Sequence, residues 1–477
     1  MHGDRVQQLC FTAEGLDADG IVHLLDSCLL GDSEPAAGEP DWKAPRTPSR
    51  TCSPPSPDSR PTPEGRQVRP AHVSAAPETA RSATRSGHAV RPSGPLDGRW
   101  ASGLRRLGFM SDAYAVRRER LREHCSASGA DAALITRPAN VRYLTGCPPC
   151  GATVLLTRER VLLVLPDDLP LDDVGEHPIG EDIAQLAVPG ETDTAFAAAE
   201  AAGRFRVRDL AVEEHDLTVS RHRGVAELMA GVQVKDLGRA VERLRVVKDE
   251  HEIADLRIAA EIADQALGEL LESILVGRTE RHLAMELERR MIDHGADRAA
   301  FPVSVGTGTH SGQGAHQPTD RRVEEGDFLT VVLGARYRGY GVSTARTFVI
   351  GAAPAPWQVD LHRLVFRAQR AGREALGPGV PQHVPDQAAR EILQAAGYTE
   401  RSPHPVGHGI GLEIREAPRL GPADMGKLDN RVPVTVGPGV HIPGKGGVRI
   451  EDTLVVRPLE EGGPELLTIT TKELLAL

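Results

Sequence analysis

The chain has 477 residues, enough for two or three domains that each bury a core of their own. Forty per cent hydrophobic with 26 % charged residues is an ordinary globular balance, and the net charge of -11 argues against nucleic-acid or membrane-surface partners, because phosphate binding needs clustered cations. No run approaches a membrane span and the start "MHGDRVQQLC" is not a signal peptide, so the expected location is the cytoplasm.

In chain order, residues 1 to 32 hold a short strand-like piece (Val6 to Phe11) and an amphipathic helical piece (Asp17 to Leu30). Residues 41 to 100 contain eleven prolines and nine arginines with almost no apolar periodicity, so they bury too little surface to offset their ordering entropy and read as disordered. Six cysteines occur and none lies beyond residue 150, which excludes a disulfide framework in the larger part of the chain. Cys147-Pro-Pro-Cys150 has no second CxxC and no nearby His pair, and two ordinary loop thiols describe it better than a redox or zinc site.

From about residue 112 the pattern becomes that of a folded α/β domain. A helix (Tyr114 to Ser128) precedes strands near Thr153 to Leu156 and Val161 to Leu165, with α/β alternation to about Asp236. A long helix is expected over Asp249 to Leu275, its apolar residues Ile253, Leu256, Ala260, Ala263 and Leu267 on one face, then a second over Glu280 to His294. The stretch "GDFLTVVLGARYRGYGVSTARTFVIG", 326 to 351, has the pattern of a β-hairpin, two Val/Leu/Thr/Phe runs around a Gly-punctuated turn, yet Phe328 to Ile350 contains no Asp and no Glu. A helix pair near 355 to 397 and further strands follow, which gives an α+β layer more than a doubly wound sheet.

Several motifs then converge on one family. "ANVRYLTG" resembles the N-terminal domain of creatinase and the Xaa-Pro peptidases, and "LRVVKDEHEIADLRIAAEIAD" the first helix of their catalytic domain. "HQPTDR", "GDFLTVVLGARYRGY", "RTFVIG", "GHGIGLEIREAP" and "GPGVHIPGKGGVRIEDTLVV" follow in family order, so the resemblance spans roughly residues 112 to 470. It implies a pita-bread catalytic domain (237–477) preceded by a smaller creatinase-type α/β domain (110–236), and a homodimer. Residues 1–40 resemble the end of the C-terminal domain of CobW-type GTP-binding metallochaperones, without any GxxxxGK[ST] in the chain, and 41–109 read as a linker; Met110 is an alternative start.

The resemblance also implies a site. In the peptidases two divalent ions are held by two Asp, one His and two Glu, and here those positions carry Val332, Ser343, His408, Gly437 and Glu451. Two divalent ions about 3.5 to 4 Å apart need several anionic oxygens. His408 and Glu451 supply a single negative charge, so the sequence predicts that the dinuclear site is lost and that no metal cofactor is used; a single metal on His408, Glu451 and His404 or His441 is the alternative. Of the polar groups that face the substrate in relatives, His316, His404, His408, Arg449 and Glu451 remain, and Arg415 stands where the peptidases have a His. His316, His408 and Glu451 are the catalytic candidates, His316 above all because imidazole exchanges protons near neutral pH. His404, Arg415 and Arg449 are the substrate-binding candidates, the arginines as carboxylate clamps. The expected function is a metal-independent hydrolase or lyase acting on a C–N bond of a small amino-acid-like or short-peptide substrate. A non-catalytic pseudo-peptidase that binds a peptide or protein, and an Xaa-Pro peptidase with an atypical metal site, are the alternatives.

Overall fold

The computed structural model describes residues 104–147, 151–167, 182–273, 275–314, 316–402 and 404–477. The CobW-like segment, the Pro/Arg/Ser-rich stretch up to residue 103 and Cys150 of the CxxC lie outside these residues.

Helix Leu104–Ala127 (α1) leads into strand Ala132–Ile135 (β1), helix Pro138–Thr145 (α2) and strands Thr153–Thr157 (β2) and Val161–Pro166 (β3). Strand Ile183–Val188 (β4), helix Thr194–Arg204 (α3), strand Asp209–Val212 (β5), helix Val219–Leu228 (α4) and strand Gln233–Asp236 (β6) complete a six-stranded mixed sheet in the order β4-β3-β2-β1-β5-β6. Its central strand reads Ala-Ala-Leu-Ile without polar alternation because both faces are covered. Ala133 and Ile135 join the core formed with Leu121 of α1 and Val141 of α2, whereas Ala132 and Leu134 pack with Ala195, Ala198 and Ala202 of α3.

After helix Ala240–Leu244 (α5), Asp249 caps helix Glu250–Leu271 (α6) in a reciprocal capping box with Glu252. The helix ends four residues short of the expected Leu275: the Ser273 hydroxyl donates to the Leu270 carbonyl, and Gly277 then takes a left-handed φ of 84° that turns the chain. Thr279 caps helix Glu280–Asp293 (α7). Strands Arg298–Ala299 (β7), Ser304–Thr307 (β8), Phe328–Leu333 (β9), Ala335–Tyr337 (β10), Tyr340–Gly341 (β11) and Thr344–Val349 (β12) form two three-stranded sheets, β12-β9-β8 and β11-β10-β7. The expected hairpin is present, with β9 and β12 antiparallel from Phe328 opposite Val349 to Leu333 opposite Thr344. Its tip is a small ribbon closed at Arg338 and Gly339, both at positive φ, the geometry that a two-residue hairpin turn requires.

Helices Pro356–Glu374 (α8) and Val384–Ala395 (α9) cover a second sheet, β14-β13-β15-β18-β19, made of Gly407–Gly409 (β13), Glu416–Leu420 (β14), Pro433–Val436 (β15), Asp452–Val455 (β18) and Glu465–Leu466 (β19). Gly439–Ile442 (β16) and Gly446–Arg449 (β17) form a separate hairpin. One buried ion pair joins the two halves. Arg346 of β12 donates to the Asp452 carboxylate at 2.8 Å and to the main-chain oxygens of Ala345, Glu451 and Thr470, with both side chains almost fully buried. Asp452 also receives Lys472 and Gln369, so the charge taken from water is matched. A backbone bridge between Ala345 and Glu451 runs alongside. No helix among the described residues is long and apolar enough to cross a membrane.

The smaller domain is fastened to the catalytic one by charge. Arg137 of the smaller domain meets Glu413 at 2.5 Å, and on the catalytic side Arg245 bonds both Glu413 and Glu416 while Lys248 bonds Glu416 at 2.9 Å. Arg245 further reaches Asn140 of "ANVRYLTG", which in turn holds buried Glu213. Burial pushes the Glu416 carboxyl up, but Lys248 and Arg245 outweigh it and pull its pKa down to about 2. Because the folded value lies below the ordinary 4.5, this stabilisation is present above that pH and lost as pH falls toward 2. Glu416→Gln therefore lowers stability by roughly 3–5 kcal/mol at neutral pH, leaving two buried cations short of a partner, and flattens the fall of the urea midpoint between pH 5 and 3. A variant with wild-type midpoints at both pH values contradicts this account.

Candidate active site

The five expected ligand positions lie on β9 and β13 and at the residues adjoining β12, β15 and β18. Val332 on β9 lies opposite Ala345 and is half-buried; its neighbours Val331 and Leu333 face the core. The Ser343 hydroxyl donates to Glu451 Oε1, and Thr453 ties the Ser343 backbone on both sides. Arg449 donates from Nε and Nη2 to Glu451 Oε2, the Nε contact at 3.2 Å. Gly437 makes room for this arrangement: a Cβ there would lie 2.3 Å from Glu451 Oε2. Burial pushes the Glu451 carboxyl up, but Arg449, His408 and the Ser343 hydroxyl hold it below the usual carboxylate range, so it is an anion already compensated by its neighbours.

The donor set at these positions does not fit two divalent ions. Val332 has no lone pair to give, Gly437 has no side chain, Ser343 offers a neutral hydroxyl spent on Glu451, and the single carboxylate is covered by a guanidinium.

His408 on β13 is half-buried and donates Nδ1–H to the Gly409 carbonyl at 3.0 Å, a bond that fixes the tautomer with Nε2 unprotonated. Burial lowers its pKa; Glu451 and the Gly409 contact oppose this, and Arg415 and Arg449 add to it, so the ring is neutral at pH 7. Arg415 is exposed, close enough to His408 to act on its charge, and does not pair with Glu451, whose guanidinium partner is Arg449. His441 on β16 is pushed down to about 4 by burial, by Arg449 and by His404 against an opposing backbone contact from Ser311, and its buried Nδ1 has no hydrogen-bond partner. His404 itself is exposed. Glu413 and Glu416 belong to the domain clamp.

His316 pairs with a different carboxylate. Its Nε2 is 2.8 Å from Glu280 Oε2, so its carboxylate partner is the first residue of α7 and not Glu451. His310, on a 3-10 turn over Gly308–Gly312, brings Nδ1 to 2.9 Å from Glu280 Oε1. Glu280 and His310 were not legible as partners, since 30 and 36 residues separate Glu280 from the two histidines and no ligand spacing marks the set. Among the described residues this is the group whose ligand atoms all lie within 4.8 Å of one another; the structure does not gather His408 and Glu451 with His404 or His441 in that way.

Comparison with known proteins accounts for both folded domains. Residues 117–247 match the creatinase/prolidase N-terminal domain and residues 254–458 match metallopeptidase family M24. The chain is 31% identical over 359 residues to an Xaa-Pro dipeptidase of Pyrococcus horikoshii, covering 74% of this chain and 97% of the relative. The structure is similar to that of an Xaa-Pro dipeptidase from Bacillus anthracis, with a TM-score of 0.71 and 31% identity over 76% of this chain and 100% of the other. It is also similar to an X-Pro aminopeptidase from Thermotoga maritima, with a TM-score of 0.67 and 28% identity over 73% of this chain and 98% of the other. A metallopeptidase family overturns the expectation that no metal cofactor is used. That expectation generalised from five positions to the whole chain, and the Glu280 group shows donors elsewhere. With both domains matched in order and a relative covered almost end to end, this chain belongs to metallopeptidase family M24.

Proposed function

We propose that the chain is a C–N bond hydrolase of the Xaa-Pro peptidase type, acting on a short peptide in the cleft around His408 and Glu451. The observation that carries this reading is the state of His408: a half-buried, neutral imidazole with its Nδ1–H pinned, flanked by two guanidiniums. Nε2 then takes a proton from the attacking water and returns it to the departing nitrogen. Arg449, with two of its nitrogens on Glu451, keeps Nη1 for the developing carbonyl oxyanion, and exposed Arg415 takes the peptide carboxylate. Glu451 positions Arg449 and does not touch substrate.

A second reading, a non-catalytic peptide-binding cleft, is favoured by the full compensation of the Glu451 carboxylate. An assay of Xaa-Pro dipeptides with and without added Mn2+, Co2+ or Zn2+ separates the two. Release of proline, with kcat/KM lowered on the order of 10²-fold or more in His408→Asn, is the expected result. Saturable dipeptide binding with no release under any ion establishes the binding cleft instead.

The pH profile supplies an independent check. A base whose pKa is lowered stays active to more acidic pH, so the acid limb of kcat/KM falls below the ordinary histidine value of 6.5. Arg415→Gln removes one of the cations that lower it and moves that limb upward while raising KM. An acid limb that does not respond to Arg415→Gln shows that His408 is not the titrating base.

A further inference from the structure

We propose that Glu280, His310 and His316 form a mononuclear divalent-cation site, separate from the five family ligand positions, suited to Zn2+. Three segments meet there: the capped start of α7, the 3-10 turn after β8, and the loop that follows. Glu280 is completely buried, a position that a carboxylate occupies only when its charge is compensated.

Its hydrogen bonds leave room for one further partner and not two. Oε1 accepts from the Thr307 backbone N–H at 2.8 Å, and Oε2 accepts from the Thr319 N–H at 2.9 Å and the Thr319 hydroxyl at 2.6 Å. A carboxylate has about four lone-pair sites, so three fixed donors leave one, yet two imidazole nitrogens converge on it. If each ring pointed a proton at Glu280 the carboxylate would be oversubscribed. A single cation resolves the count, taking the fourth carboxylate site and one lone pair from each ring.

The outer contacts agree. His316 Nδ1 lies 3.3 Å from Gln313 Oε1, an acceptor for its N–H, which leaves Nε2 as the ligand atom, the arrangement that metal-binding histidines use. The two rings lie with centroids 4.6 Å apart, tilted by 39°. Tetrahedral zinc with bonds of about 2.0–2.1 Å needs ligand atoms roughly 3.3 Å apart. The present nitrogen-to-oxygen separations are 2.9 Å for His310 and 2.8 Å for His316, so both rings, one on the turn and one on the loop after it, shift outward to admit the ion. Two imidazoles and one carboxylate with a fourth position open match the donor count of a three-ligand zinc site.

The test is metal binding by the full-length protein, measured by elemental analysis after Zn2+ loading and desalting, and by visible absorption after Co2+ loading. About one ion per chain is expected, with tetrahedral Co2+ bands. His310→Asn, which keeps a hydrogen-bond donor at a partly exposed position, should weaken Zn2+ affinity by ~100-fold or more with an unchanged circular dichroism spectrum. His408→Asn and Glu451→Gln should retain the ion. An ion absent from the wild type, or one lost in Glu451→Gln and retained in His310→Asn, overturns the assignment. The failure is distinguishable from failure of the peptidase reading, because neither metal measurement depends on turnover.

Discussion

The buried pair Arg346–Asp452 is the interaction on which the catalytic half depends. It crosses from β12 to β18 and, through the backbone oxygens that Arg346 also serves, holds Ala345 against Glu451. Each member sits within a few residues of a cleft position, so the guanidinium that joins the halves also sets the separation of Ser343 from Glu451. Removal of either partner would leave a charge in the core with no compensation. The family motifs "RTF" and "RIED" therefore have a structural explanation that does not involve metal.

Cleft chemistry follows from what surrounds a single carboxylate. Glu451 is held anionic by Arg449 and Ser343, and the glycine at 437 removes the side chain that would displace it. A guanidinium in contact with the carboxylate disfavours a dication at the same oxygen and leaves a site rich in positive charge beside a neutral imidazole. That combination is the basis of the proposed reading, in which a guanidinium takes the peptide carboxylate and another faces the carbonyl. A second carboxylate, Glu280, has the opposite arrangement: imidazoles in place of guanidiniums around an acceptor that already receives three other donors.

The placement of His316 shows what a short motif does not carry, the partner of its ring. Its position in "AHQPTDR" implied a proton-transfer group beside the scissile bond. In the fold its ring pairs with the first residue of α7, and Thr319, three residues on, occupies the same carboxylate.

The hairpin at 326–351 and the helices beginning near Asp249 and Glu280 were legible in the sequence, because β-branched runs around a Gly turn and apolar residues at helical spacing are local signals. The family was legible for the same kind of reason, from ordered short motifs. The family resemblance also assigned side chains to five expected ligand positions. Only the tertiary structure decided what those side chains do. The Arg449–Glu451 contact, the space at Gly437 and the tautomer of His408 depend on strand register and close packing, which pair residues far apart in the chain. The Glu280 group is the extreme case: its members share no periodicity, and only the meeting of a helix start, a 3-10 turn and a loop brings them to one point.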